Sequence, residues 1–246
     1  MALAAASAVA EDVPLPTPAP RTKGAPAAPP QAPNPAPAAA EPGPKGFFPF
    51  SFSLGGKGGP QSQATAFDNK QRALLDKVSN YLSSVQTMVG NFVQIGPDGR
   101  RVDGNFSIQK PGKVRFQYNP PSPIDVIADG SSVVVRDRSL ETTEYYPLSQ
   151  TPLRYLLAEH IDLLRDTDVI SVSADDTFVT VVIEETQVVT GTNRLMIMFD
   201  AKNLQLKQWT VTDAQGLDTT VAVYNLDSQK KPDPNLFVIN YSGNLK

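Results

Sequence analysis

The chain has 246 residues, a single histidine, no cysteine and a formal net charge of −3. Without cysteine there are no disulfides, no thiolate catalysis and no Cys-ligated metal, and a weakly acidic chain lacking basic patches interleaved with aromatics excludes nucleic acid as the main partner. The length also overstates the folded part, because more than half of the 23 prolines precede residue 61.

Residues 1–10 end in Ala8-Val9-Ala10 before Glu11, the shape of a signal-peptidase site, and are read as the remnant of a signal peptide. Residues 11–63 are Ala/Pro-rich text that cannot bury enough apolar surface to offset its ordering entropy, so a disordered tether is expected. An aromatic cluster (Phe47, Phe48, Phe50, Phe52) flanked by glycines lies within it, suited to docking on the domain, a partner or a membrane surface. The remainder, residues 64–246, fits one domain with a substantial core. No apolar run approaches the roughly 20 residues of a membrane span.

From Ala66 to Gln86 the apolar residues Leu74, Leu75, Val78, Leu82 and Val85 form a stripe on one helical face, predicting an amphipathic helix whose apolar side meets a sheet. The stretch 90–129 then holds three short strands separated by turns. Pro97-Asp98-Gly99 closes the first hairpin and Lys110-Pro111-Gly112-Lys113 the second, each pairing a fixed proline φ with a glycine that accepts positive φ. Side chains alternate across a strand, so parity sorts them. Gly104, Phe106, Ile108 and Lys110 share one face, and Val114, Phe116 and Tyr118 share the corresponding face of the next strand, opposite Lys113, Arg115 and Gln117. One side of this antiparallel sheet is apolar and aromatic, the other wet. Lys110 is the odd member. A cation assigned to a dry face either snorkels out at the strand end or holds something over that face.

Further strands follow at Ile124–Ala128, Ser131–Arg136 and Glu141–Tyr146. Thr151-Pro152-Leu153 reads as a helix start, with threonine as N-cap and proline at the first helical position. Leu153, Leu156 and Leu157 form a short apolar stripe, continued by Ile161, Leu163 and Leu164. The last third is a meander of strands at Val169–Ser173, Phe178–Glu184, Arg194–Asp200, Gln205–Thr212 and Thr219–Tyr224, with a terminal strand at Phe237–Ile239. Turns fall at Asp175-Asp176, Thr190-Gly191-Thr192 and Ala214-Gln215-Gly216. Short antiparallel strands at this spacing, with few helices, predict a mainly β domain built on a single curved sheet.

The search for chemistry finds little. His160, the one histidine, follows Glu159 without a companion motif, so Ser/His/Asp catalysis has no support. Asp175-Asp176 and Asp162, Asp166 and Asp168 resemble turn and helix-end aspartates, not a metal cage. No phosphate-binding glycine loop or nucleophile elbow occurs. The chain does not read as an enzyme and calls for no cofactor or metal. What remains is a long apolar inner face with two sets of amphipathic helices to cover it, a pattern equally that of a packed core and of a cavity.

The ordered run Asn91-Phe92-x-Gln94, Gly104-x-Phe106, Lys110-Pro111-Gly112-Lys113-x-Arg115-Phe116-x-Tyr118, Pro121 and Asp129-Gly130 resembles the LolA-type periplasmic lipoprotein carriers. Thr151-Pro152-Leu153 with Leu156-Leu157, and in weaker form Asp213-x-x-Gly216 and Phe237, extend the resemblance over about residues 70–241. It implies an incomplete antiparallel β-barrel with its open side covered by helices. It also implies a monomeric periplasmic carrier that accepts triacylated lipoproteins from an inner-membrane ABC transporter, shields their acyl chains and delivers them to an outer-membrane acceptor. On that reading Leu74, Val78, Leu82, Phe106, Ile108, Val114, Phe116, Tyr118, Leu153, Leu156 and Leu157 line the acyl-chain cavity, with Met196 and Met198 as soft packing groups. Better-known members carry, immediately before the proline of the Lys110-Pro111 pair, an arginine that hydrogen-bonds the lid helices. Lysine here makes Lys110 the candidate lid latch, without a planar fork of donors. The alternative is a LolA-like domain that binds another lipid or a membrane-associated partner, docked through its tether.

Overall fold

The computed structural model describes residues 67–187 and 191–239. The signal-peptide remnant, the tether and the Phe47–Phe52 cluster lie outside these residues, as do Thr190 and residues 240–246.

Helix α1 (Asn69–Ser84) begins at Asp68, whose carboxylate accepts from the Gln71 amide while the Gln71 side chain accepts from the Asp68 amide. This reciprocal cap satisfies two otherwise orphaned N–H groups and sets the helix start three residues later than the apolar stripe alone places it. Strands β1 (Thr87–Ile95), β2 (Arg101–Gln109), β3 (Lys113–Tyr118), β4 (Ile124–Asp129), β5 (Ser132–Asp137) and β6 (Thr142–Pro147) follow as consecutive antiparallel neighbours. Gly99 and Gly112 take the positive φ values, +76° and +74°, that the first two turns require.

A 3₁₀ turn (Leu148–Gln150) then leads into two short helices, α2 (Leu153–Leu157) and α3 (Leu163–Asp166). The second half of the sheet is β7 (Val169–Ala174), β8 (Phe178–Gln187), β9 (Gly191–Asp200), β10 (Leu206–Thr212) and β11 (Asp218–Asp227). All eleven strands form one sheet in the order β6-β5-β4-β3-β2-β1-β11-β10-β9-β8-β7. Among the described residues the sole non-sequential neighbours are β1 and β11, which join the two meanders, and β6 and β7 are edges without a further strand partner. The sheet is therefore not closed into a barrel, and the chain between its two edges is the helical segment.

The parity argument holds strand by strand. In β2 Gly104, Phe106 and Ile108 are buried, and in β3 Val114, Phe116 and Tyr118 are buried, while Asn105 and Gln117 are exposed. Leu75, Val78 and Leu82 of α1, Leu156 and Leu157 of α2 and Leu163 of α3 share one continuous core with these residues and with the inward side chains of β4, β5 and β7–β11. Leu74 and Leu153 are half-buried against it.

Two local expectations are corrected. Thr151 does not cap α2: its hydroxyl donates to the Leu148 carbonyl of the preceding 3₁₀ turn (2.9 Å), and Pro152 occupies the cap position. Phe237–Ile239 is not a strand. The Asp233 carboxylate accepts from the Asn235 amide (2.9 Å) and Pro234 supplies a fixed φ, so Pro234–Phe237 turns as a 3₁₀ helix in which Phe237 is buried. Ile239 packs on Ile127 and Val134, on the side of the sheet away from the main core.

Candidate functional site: an apolar cavity under the helices

The inner face of the sheet is dominated by aromatic rings. Phe92 meets Phe116 and Tyr118 edge-on, with ring centroids 5.2 Å and 5.0 Å apart, and Phe116 in turn stacks on Phe106 and leans toward Trp209. Beside this cluster lies a cavity of about 50 Å³, lined by Phe116, Tyr118, Val126, Val133, Val135, Leu153, Trp209, Val211 and Val221, with two polar members, Gln94 and Thr219. Leu153 roofs it from α2, while the other residues come from β1, β3, β4, β5, β10 and β11. A space of that size takes a few water molecules, each needing roughly 10–15 Å³ of it.

Of the residues expected to line a cavity, Phe116, Tyr118 and Leu153 do so in this closed form. Leu74, Val78, Leu82, Phe106, Ile108, Val114, Leu156 and Leu157 belong to the surrounding core between the helices and the sheet. The lining residues that sequence reasoning left out sit at inward parity on strands it had identified: Gln94 on β1, Val126 on β4, Val133 and Val135 on β5, Trp209 and Val211 on β10, Thr219 and Val221 on β11. The same alternation that singled out Phe106 and Phe116 would have found them had it been carried to every strand.

Tyr118 is fully enclosed. Its hydroxyl donates to the Gln94 side-chain carbonyl (2.7 Å), and burial, with the Asp125 carboxylate as a lesser contributor, raises its pKa far above the usual phenol range. It stays protonated and acts only as a neutral group.

Among the described residues a handful of polar contacts tie the helices to the sheet, including the Tyr81 hydroxyl of α1, which accepts from the Leu206 amide of β10 (3.2 Å), and the Gln71 side-chain amide, which donates to the Val172 carbonyl of β7 (3.4 Å). Lys110 is half-buried. Its ammonium donates to the Leu82 carbonyl in the last turn of α1 (2.5 Å), where orphaned carbonyls and the negative end of the helix dipole favour a cation. Burial lowers its pKa to about 8. Two residues on, the Gly112 amide donates to the Leu157 carbonyl at the end of α2 (2.9 Å). One turn, Lys110–Gly112, thus holds both α1 and α2, the first through a side chain and the second through backbone. Elsewhere Ser79 and Ser83 of α1 accept from the Leu163 and Ile161 amides (both 3.1 Å), and Arg154 of α2 pairs with Glu185 of β8 at 2.7 Å. His160 is exposed, and Asp162 caps α3 by accepting from the Leu164 and Arg165 amides.

Comparison with known proteins agrees with this architecture. An uncharacterized protein of Rickettsia prowazekii is 29% identical over 92 residues, 37% of this chain and 43% of the relative. The outer-membrane lipoprotein carrier protein of Methylobacillus flagellatus is 27% identical over 81 residues, 31% of this chain and 40% of that protein. The chain thus matches less than half the length of either relative. Among solved structures, a LolA superfamily protein from Nitrosomonas europaea superposes with a TM-score of 0.38 at 11% identity, covering 68% of this chain and 98% of that one. The model of the family described as outer membrane lipoprotein carrier protein LolA matches residues 83–240. That span takes in all eleven strands, α2, α3 and the Lys110–Gly112 turn, and so the chain belongs to the LolA family.

Proposed function

We propose that the protein is a periplasmic carrier that shields the acyl chains of triacylated lipoproteins, accepting them from an inner-membrane ABC transporter and passing them to an outer-membrane acceptor. The observation that carries this reading is the apolar cavity between the aromatic face of the sheet and α2, which contributes Leu153 to the lining. Each methylene removed from water is worth about 0.8 kcal/mol, so acyl chains do not cross an aqueous space unshielded. The closed cavity of about 50 Å³ is too small for such a chain, and uptake requires α1 and α2 to move off the sheet. Leu74, Val78, Leu82, Phe106, Ile108, Val114, Leu156 and Leu157, packed between helices and sheet, then become lining beside Phe116, Tyr118 and Leu153. Lys110 serves as the latch of the closed state. A carrier must also release its cargo, and a lid held by a few hydrogen bonds gives intermediate affinity where a rigid core would not. The activity is binding, not catalysis.

The test is native mass spectrometry of the chain co-expressed in a bacterial periplasm with a triacylated lipoprotein. A stoichiometric complex is expected, and Phe116→Glu, with circular dichroism showing an intact sheet, abolishes it. A wild-type chain that never captures the lipoprotein, yet extracts another lipid from the same cells, would replace this reading by that of a LolA-like domain binding a different lipid.

A further inference from the structure

The two polar members of the cavity are not explained by shielding alone. Gln94 on β1 and Thr219 on β11 are 3% and 4% exposed. Gln94 uses its side-chain carbonyl to accept from Tyr118, yet its amide nitrogen has no hydrogen-bond partner, and the Thr219 hydroxyl has none either. A buried donor left unsatisfied costs about 1–3 kcal/mol, and both groups sit in a lining that is otherwise hydrocarbon. They are also neighbours. Gln94 pairs directly with Val221 across the β1–β11 seam, which places Thr219 diagonally opposite on the same face, roughly 7–8 Å away and within reach of a side chain as long as glutamine.

We propose that Gln94 Nε2 and Thr219 Oγ1 together form the binding site for an acyl carbonyl oxygen, the ester or amide group at the head of each acyl chain. An alkyl chain needs no donor, whereas every acyl chain carries one strong acceptor at a fixed position. Two donors converging on that oxygen set how deep the chain enters and which end leads. The proposal rests on the carrier reading and refines it.

The experiment uses the full chain and two probes delivered from cyclodextrin: methyl laurate carrying a ¹³C carbonyl, and tridecane, which has a chain but no carbonyl. Isotope-edited infrared spectroscopy of bound ester should show the carbonyl stretch shifted to lower frequency relative to the ester in alkane. Gln94→Leu and Thr219→Val should each return the band toward the alkane position and weaken ester binding roughly fivefold, as expected for a neutral hydrogen bond of about 1 kcal/mol. Tridecane binding should hold or tighten, since both substitutions make the lining more apolar. If Gln94→Leu fails to fold because Tyr118 loses its acceptor, the wild-type band and Thr219→Val still decide. An alkane-like band in the wild type, or equal losses for ester and tridecane, overturns the carbonyl site while leaving the carrier reading intact. Binding of neither probe overturns both.

Discussion

Lys110 is a half-buried charged group, and its titration has a definite sign. In the unfolded chain its pKa is 10.5, and in the folded domain burial lowers it to about 8. Between those values the unfolded state binds more protons, so stability rises with pH across the window from 8 to 10.5 and the cost of burying the charge is fully present below pH 8. Denaturant melts of the wild type and Lys110→Met, run from pH 7 to 10.5, should diverge with the wild type gaining on the order of 2 kcal/mol relative to the variant. Parallel curves would mean that the ammonium is not desolvated in the folded state. The neutral amine still donates to the Leu82 carbonyl, so the contact outlasts the charge. Gly104 is a second position where one atom decides. A Cβ there would stand 2.1 Å from the Gln117 carbonyl oxygen on β3 and 2.9 Å from the Phe92 ring. Neither the strand backbone nor a core ring can give way by that much, so Gly104→Ala should cost upwards of about 3 kcal/mol in a thermal or chemical melt. Both residues were visible in the sequence as members of an apolar parity set. What they touch was not, because Leu82 lies 28 residues before Lys110 and is brought there by the packing of α1 on the sheet.

Among the elements, α1 was the most legible, since a stripe at helical spacing fixes both the secondary structure and the buried face. Its start was misjudged because the Asp68–Gln71 cap, not hydrophobicity, ends the chain's extended entry. Asp68→Ala should therefore lower stability by about 1 kcal/mol, with faster amide hydrogen exchange confined to the first turn of α1, while exchange in β1 is unchanged. Loss of protection along the whole helix would show that the cap supports more than its own turn. The short helices were harder to place. In α2 the threonine-proline signal gave the right place but the wrong cap, because the Thr151 hydroxyl has a competing acceptor in the 3₁₀ turn just before it. At the C-terminal end the apolar run Phe237–Ile239 looks like a strand, yet a capped aspartate and a proline just upstream turn the chain first.

At the scale of all the described residues there is one sheet that stops short of closing, with the helical segment joining its two edges, and the cavity belongs to no single element. Val133 of β5 lines it and is 1% exposed. Val133→Leu adds one methylene to a void that has room for it, so stability should hold or rise by about 0.5–1 kcal/mol while uptake of a bound acyl probe falls. A large loss of stability would mean that the void is not accessible from β5. The sequence by itself determined the alternation that gives each strand a wet and a dry side, the apolar stripe of α1, the glycine turns at Gly99 and Gly112, and the family motifs along β1–β3. These are local properties, set by side-chain direction and backbone sterics within a few residues. Only the tertiary structure decided that β1 pairs with β11, that Lys110 and Gly112 hold two different helices, and that Gln94 and Thr219 face one cavity with donors unused. Such facts depend on which distant faces meet, and the free energy that selects the meeting is spread over the entire core.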